Sequence, residues 1–143
     1  MAGAAKNAAV LAAAAAEPHG LNAAGIAAAA VWDECVGYAV KKGGDLETFN
    51  GLAGVGDLLA TVMASGSRNR RAGELLGKGS APDQIRETIG QASEALDSVP
   101  QIAATVAAAG CPAEALTGLA DLATGRISSD EWVAALRRSG HSR

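Results

Sequence analysis

Hydrophobic residues recur every three or four positions along most of the chain, which is the spacing of one face of an α-helix. Between these periodic segments stand glycine, proline, serine and asparagine, the residues that cap and end helices. We expect helices to begin at or just after nine positions: Ala2, Asn22, Asp45, Asp57, Ser67, Ser80, Ser98, Pro112 and Ser128. The pattern therefore predicts an all-α domain of roughly seven to nine helices, with no sheet of consequence.

Composition supports close helix packing. Of the 143 residues, 49% are hydrophobic but only 3% are aromatic, so alanine supplies much of the apolar content. Alanine is the best helix former, and its small side chain lets helices approach one another. We expect one helical domain over residues 1–138, since this length can bury a core without dividing. Residues 139–143, which include His141, are expected to form a disordered tail.

Charge and cysteine usage argue against several classes of protein. The net charge of −3 and the absence of aromatic residues among the arginines disfavour a nucleic-acid partner. Cys35 and Cys111 fit no metal-ligand spacing, which indicates reduced thiols, no metal site and a cytoplasmic protein. Gly, Asn, Pro or charged residues interrupt every long apolar run, so we expect no membrane partner. Residues 1–16 form a loose signal-peptide pattern, but Val10 and Leu11 are its only strong hydrophobes.

The stretch over residues 51–79, GLAGVGDLLATVMASGSRNRRAGELLGKG, carries the candidate chemistry. Its first glycines are expected to adopt backbone angles that other residues avoid. Asp57 follows at a predicted helix start, and Ser67 is a plausible N-cap for a helix beginning with Arg68 and Asn69. Free helix N–H groups beside a guanidinium suit a phosphate. Taken singly, each feature is more often a plain helix cap or a solvated arginine.

The order of three motifs resembles a known family. GLAGVGDLLAT followed by SRNRRAGELLGKG, with AGAAKN near the start, is similar to the C-terminal, substrate-binding domain of NAD(P)-dependent glycerol-3-phosphate dehydrogenases. The resemblance runs from about Gly3 to Leu136. It implies the all-α fold of the 6-phosphogluconate dehydrogenase C-terminal-like class. It also implies interconversion of sn-glycerol 3-phosphate and dihydroxyacetone phosphate with NAD or NADP as cofactor.

The same resemblance implies roles for individual residues. Lys6 matches the acid/base that exchanges a proton with the substrate oxygen, and it would also bind substrate. Other substrate-binding positions match Asn7, Asp57, Ser67, Arg68 and Asn69. Cofactor contacts fall on Arg68, Ala92 and Glu94. Ala95 replaces the glycine that follows the family's cofactor-contacting glutamate, which puts the backbone geometry there in doubt.

The family's nucleotide-binding unit is not visible in this sequence. Such a unit opens with a strand and a G-x-G-x-x-G turn. Here the nearest glycines, Gly51, Gly54 and Gly56, read G-x-x-G-x-G and follow no strand pattern. We expect a truncated copy, an excised domain, a mis-started reading frame or half of a split enzyme, with the nucleotide domain in cis or trans. The other hypothesis is a non-catalytic helical remnant that serves oligomerisation or ligand binding.

An inter-domain surface left uncovered would be apolar. We therefore expect self-association, and a homodimer is possible.

Overall fold

The computed structural model describes residues 1–90 and 93–140, and that part consists of helices joined by short connections. Nine α-helices occur in these two ranges, and no strand does: α1 (Ala2–Ala16), α2 (Leu21–Lys41), α3 (Leu46–Asn50), α4 (Asp57–Met63), α5 (Arg68–Gly77), α6 (Pro82–Ile89), α7 (Glu94–Ala108), α8 (Glu114–Ala123) and α9 (Ser129–Gly140). A 3₁₀ turn (Glu17–His19) follows α1, and a π-helical turn (Leu52–Gly56) precedes α4. The all-α prediction is confirmed.

Helix α1 is the central element, and its small alanine side chains allow several other helices to pack around it. From Ala8 to Ala16 every residue is buried, and α2, α4, α5, α7 and α9 all contact this helix. Helix α5 packs closely against α1 through two glycines. A Cβ added to Gly73 would lie 2.4 Å from the Leu11 carbonyl oxygen, and one added to Gly77 would lie 2.8 Å from that of Ala15. Small side chains on both helices therefore set the distance between them.

Larger side chains fill the space on the other sides of α1. The rings of Trp32 and Phe49 meet edge to face, with centroids 6.1 Å apart, and both residues are buried in the core. Trp132 is buried against Gly118, and its indole N–H donates to the Ala115 carbonyl at 3.3 Å. On α3, Phe49 is buried, whereas about half of the surface of Leu46 is exposed.

A buried carboxylate holds α2 to the start of α8. Glu34 accepts hydrogen bonds from the backbone N–H groups of Ala115 at 2.9 Å and of Leu116 at 2.8 Å. These donors belong to the first turn of α8, whose N-cap, Ala113, has no side-chain acceptor. The helix dipole adds to the attraction. Burial, with a smaller contribution from the Glu34 charge, raises the pKa of the neighbouring Cys35 to about 12.

Four predicted helix starts are wrong, because the caps lie elsewhere; the fourth of them, Pro112, precedes Ala113, which is the N-cap of α8. Helix α2 begins after Gly20, one position before Asn22. The side chain of Gln84 accepts from the Ala81 N–H, so α6 begins after Ala81 and not at Ser80. Asparagine and serine are favoured at the N-cap, but a neighbouring residue, Gly20 or Ala81, occupies that position in these two helices.

The third wrong start concerns α7. Ser98 and Pro100 lie inside this helix, which begins at Glu94 behind the cap Ser93. Proline normally weakens a helix interior. Here the buried side chains of Leu96 and Val99 before the proline, and of Ala103 and Val106 after it, hold the turns on both sides of it.

Helix α9 bears out one prediction and corrects another. The Ser128 hydroxyl accepts from the Glu131 N–H at 3.2 Å, as expected of a cap. The helix continues through Ser139 and Gly140, which we had assigned to a disordered tail. Serine and glycine are poor helix formers but are tolerated in a final turn. His141 and the last two residues lie outside the described part.

By length and composition alone, helix α2 could cross a membrane. A helix in the core of a folded domain passes the same test. Val31, Trp32, Cys35 and Val36 of this helix are buried in the core of the domain.

Candidate active site

Lys6 and Asp57 form an ion pair between α1 and α4. The Lys6 ammonium nitrogen lies 2.7 Å from Asp57 Oδ2, although the two residues are 51 positions apart. The lysine side chain is 25% exposed and the aspartate side chain 52% exposed. Asp57 is the first residue of α4, where the helix dipole also favours a carboxylate. The pair thus joins the exposed side of α1's second turn to the start of α4.

The glycine-rich turn before α4 owes its shape to close packing. We expected Gly51, Gly54 and Gly56 to adopt unusual backbone angles, but none of them has a positive φ. A Cβ on Gly54 would instead lie only 1.9 Å from the Phe49 carbonyl oxygen. The absence of a side chain there lets the π-helical turn fold back against α3 and deliver Asp57 to Lys6.

Helix α5 begins as the sequence predicts. The Ser67 hydroxyl accepts from the Arg70 N–H at 3.3 Å, which caps the helix. Arg68 is exposed in the first turn and has no ion-pair partner within residues 1–90 and 93–140. Arg70 is occupied, because it pairs with Glu17 at 2.8 Å and Glu74 at 3.1 Å. Arg70 therefore has a structural role, and Arg68 is available for an anion.

Asn7, next to Lys6, reaches the start of α7. Its amide nitrogen donates to Glu94 Oε2 at 3.1 Å. Glu94 is the first residue of that helix and is exposed. The predicted substrate residue Asn7 and the predicted cofactor residue Glu94 are therefore in direct contact.

Asn69 ties the start of α5 to the start of α7. Its side-chain oxygen accepts from the Ser93 hydroxyl at 2.8 Å and from the Ala95 N–H at 3.0 Å. Ser93 is only 1% exposed and was absent from our candidate residues. A signal for it existed, since serine followed by Glu-Ala-Leu is typical of a helix start, but we predicted the start of this helix at Ser98.

The structure brings the predicted residues together in pairs. Lys6 meets Asp57, Asn7 meets Glu94, and Asn69 meets the α7 start one residue to either side of Glu94. Arg68 shares the α5 start with Asn69 but makes no hydrogen bond to these residues within the described ranges. Ala92, a predicted cofactor contact, lies outside the described residues.

Two concave surfaces of the described part lie away from these pairs. One is formed between the turn after α5 and the α8–α9 connection, and the other between α2, α8 and α9. Lys6, Asp57 and Arg68 line neither of them. The contacts of the predicted residues instead join the beginnings of α4 and α7 to α1, and the beginning of α5 to that of α7.

Comparison with known proteins identifies the chain's relatives. A family model described as the C-terminus of NAD-dependent glycerol-3-phosphate dehydrogenase matches residues 1–134. A curated protein of Leifsonia xyli, named glycerol-3-phosphate dehydrogenase [NAD(P)+], is 43% identical over 77 residues, covering 54% of this chain and 21% of the relative. One of the same name from Alcanivorax borkumensis is 44% identical over 66 residues, covering 46% and 19%.

A solved structure agrees with the sequence relatives. The crystal structure of glycerol-3-phosphate dehydrogenase from Coxiella burnetii superimposes with a TM-score of 0.81 and 29% identity. The match covers 95% of this chain and 42% of the solved chain. The curated relatives above are matched over about a fifth of their length. The chain belongs to the family of NAD-dependent glycerol-3-phosphate dehydrogenase C-terminal domains.

Proposed function

We propose that this chain is the substrate domain of an NAD(P)-dependent glycerol-3-phosphate dehydrogenase. The reaction is the interconversion of sn-glycerol 3-phosphate and dihydroxyacetone phosphate. Turnover would require a nucleotide-binding domain, in cis or in trans, in a cytoplasmic enzyme. The observation that carries the proposal is the 2.7 Å Lys6–Asp57 ion pair, which joins two motifs far apart in sequence at one surface.

Lys6 is the proposed acid/base. NAD(P)H supplies the hydride when it is bound, and NAD(P)+ accepts one in the reverse direction. In the reductive direction the Lys6 ammonium gives a proton to the oxygen of the dihydroxyacetone phosphate ketone. In the oxidative direction the neutral amine takes the proton of the secondary hydroxyl. Asp57 holds the nitrogen in place and can accept a hydrogen bond from a substrate hydroxyl.

The start of α5 is the proposed phosphate site. Arg68 offers a guanidinium with no ion-pair partner in the described part, next to the free N–H groups of the helix. Ser67 and Asn69 flank it. A phosphate gains charge-assisted hydrogen bonds from each donor, worth roughly 1.5–3 kcal/mol apiece. In this proposal, the anion site at Arg68 and the proton donor Lys6 act on the same substrate molecule.

The cofactor is expected to touch the same surface. Glu94 lies at the α7 start, beside Asn7, and Arg68 completes the proposed contacts together with Ala92. The main cofactor contacts belong to the nucleotide-binding domain. Exposed apolar side chains on and just before α4 fit the proposed cover by that domain or by a second subunit: Leu52 (92% exposed), Leu59 (57%) and Met63 (83%).

Phosphate binding by the chain tests the site directly. Glycerol 3-phosphate is titrated into the chain and into Arg68→Ala while backbone resonances are followed by nuclear magnetic resonance. Arg71→Ala is the matched control, since Arg71 is exposed one turn further along α5. We expect shifts at the α5 start in the wild type and in Arg71→Ala, and a loss of those shifts in Arg68→Ala. Equal shifts in all three proteins would refute the phosphate assignment.

A further inference from the structure

The orientation of the Asn69 side chain is fixed by its surroundings. A backbone N–H can only donate, so the atom that accepts from Ala95 at 3.0 Å must be the amide oxygen. The Ser93 hydroxyl donates to the same oxygen at 2.8 Å. Both acceptor positions of Asn69 Oδ1 are thus used inside the protein. The part of Asn69 left for a ligand is its NH₂ group, a pure donor.

Ser93 has its own orientation fixed in the same way. Its oxygen accepts from the Leu96 N–H at 3.3 Å, as the N-cap of α7. Because a hydroxyl has one proton, that proton is then directed at Asn69. The buried serine therefore performs two tasks at once: it begins α7, and it locks the Asn69 amide across the α5–α7 junction.

We propose that Ser93 is a positioning residue that sets Asn69 as a hydrogen-bond donor to the phosphate of the substrate. The inference rests on the proposed function, since it deepens the role of the α5 start. Within residues 1–90 and 93–140 the Asn69 NH₂ group has no hydrogen-bond partner. A flipped amide would face an anion with its oxygen, which repels it. Ser93 and Ala95 together prevent that flip.

The hydrogen bonds to the Asn69 side chain also explain the role of Ala95. Its replacement of the family's glycine raised doubt about the backbone here, but its N–H donates to Asn69 and its side chain is fully buried. The methyl group adds packing without removing the hydrogen bond. The α7 start can therefore hold Asn69 with alanine at this position.

The first experiment concerns the amide itself. In the ¹⁵N-labelled chain, the Asn69 side-chain NH₂ signals are identified as those missing from Asn69→Asp. That variant keeps an acceptor oxygen for Ser93 and Ala95 but has no donor. We expect Ser93→Ala to shift the Asn69 NH₂ signals before any ligand is added, because one of the two bonds to Oδ1 is lost. Ser128→Ala is the matched control, since it removes the cap of α9 and does not touch Asn69. Unchanged NH₂ signals in Ser93→Ala would overturn the positioning role.

The second experiment adds inorganic phosphate to the same proteins. We expect Ser93→Ala to weaken phosphate binding by about threefold to tenfold. Asn69→Asp should abolish it, and Ser128→Ala should bind as the wild type does. Binding that is lost in Arg68→Ala but unchanged in Ser93→Ala and Asn69→Asp would overturn this inference and leave the proposed function standing. Equal weakening in Ser93→Ala and Ser128→Ala would also overturn it, by assigning the effect to helix stability. No binding by the wild type would overturn both proposals.

Discussion

Helix α1 belongs to two regions that are held together in opposite ways. From Ala8 onward it is buried, and α5 packs against it through glycines that leave no room for a side chain. Immediately before Ala8, Lys6 and Asn7 reach out from the same helix to charged partners on α4 and α7. The close packing of the core depends on glycines, which have no side chain. The candidate site depends instead on a few hydrogen bonds and an ion pair at a partly exposed surface. We therefore expect substitutions in the two regions to separate stability from binding.

The α1–α5 contact should give the largest loss of stability. In Gly73→Ala the new Cβ would meet the Leu11 backbone at 2.4 Å, and backbone cannot move aside as a flexible side chain can. We expect a loss of about 3 kcal/mol in the free energy of unfolding. The matched control is Gly37→Ala in α2, where a Cβ meets nothing within 4 Å. Replacing a helical glycine there should stabilise the protein by about 0.5–1 kcal/mol. Urea denaturation that gave both variants the same change would contradict the close-packing account.

The buried carboxylate of Glu34 should come next. In Glu34→Ala the N–H groups of Ala115 and Leu116 lose their acceptor in a buried setting, so we expect a loss of about 2 kcal/mol. Glu87→Ala, on the exposed side of α6, is the control and should change stability by less than about 0.5 kcal/mol. Thermal unfolding of the two variants checks this. A Glu34→Ala protein as stable as the control would show that water replaces the carboxylate.

The Lys6–Asp57 pair should matter little for stability. Asp57 is half exposed, and exposed ion pairs contribute about 0.2–1 kcal/mol. We therefore expect Lys6→Met and Asp57→Asn each to change the free energy of unfolding by less than about 1 kcal/mol. A double-mutant cycle in urea, at low and at high salt, measures the coupling. A coupling free energy larger than the loss of stability in Gly73→Ala would contradict the expectation that the core contributes more to stability than the site does.

The smallest expected effect is a difference in reactivity between the thiols of Cys35 and Cys111. Burial raises the pKa of Cys35 to about 12, while Cys111 is only partly buried. At pH 8 a thiol reagent should therefore modify Cys111 in the native protein and both cysteines in denaturant. The unfolded thiol loses its proton near pH 8.5 and the native Cys35 does not, so this group's contribution to stability falls as pH rises through about 8.5–12. Mass spectrometry after brief labelling shows which cysteine is modified first. Equal modification rates at Cys35 and Cys111 would contradict the burial of Cys35.

Local patterns predicted the core better than the junctions of the site. The α1 bounds follow from an unbroken alanine-rich run, and the caps Ser67 and Ser128 follow from serine before a helical segment. Ser93 and Glu34 were missed because their roles depend on partners far along the chain. Gly54 and Gly73 look like flexible residues in the sequence, yet close packing explains both. Motif resemblance placed Lys6 and Asp57 at one site, which spacing alone gives no reason to expect across 51 positions.

The central claim is that Lys6 exchanges the proton in a dehydrogenase assembled with a nucleotide-binding domain. Its most direct test is turnover by a chimera in which residues 1–134 replace the matching domain of the Coxiella burnetii enzyme. Consumption of NAD(P)H is followed with dihydroxyacetone phosphate as substrate. We expect turnover by the chimera, and a kcat lowered by about 100- to 10,000-fold in Lys6→Met with an unchanged fold. A folded chimera without turnover, or a Lys6→Met chimera with the kcat of its parent, would contradict the account.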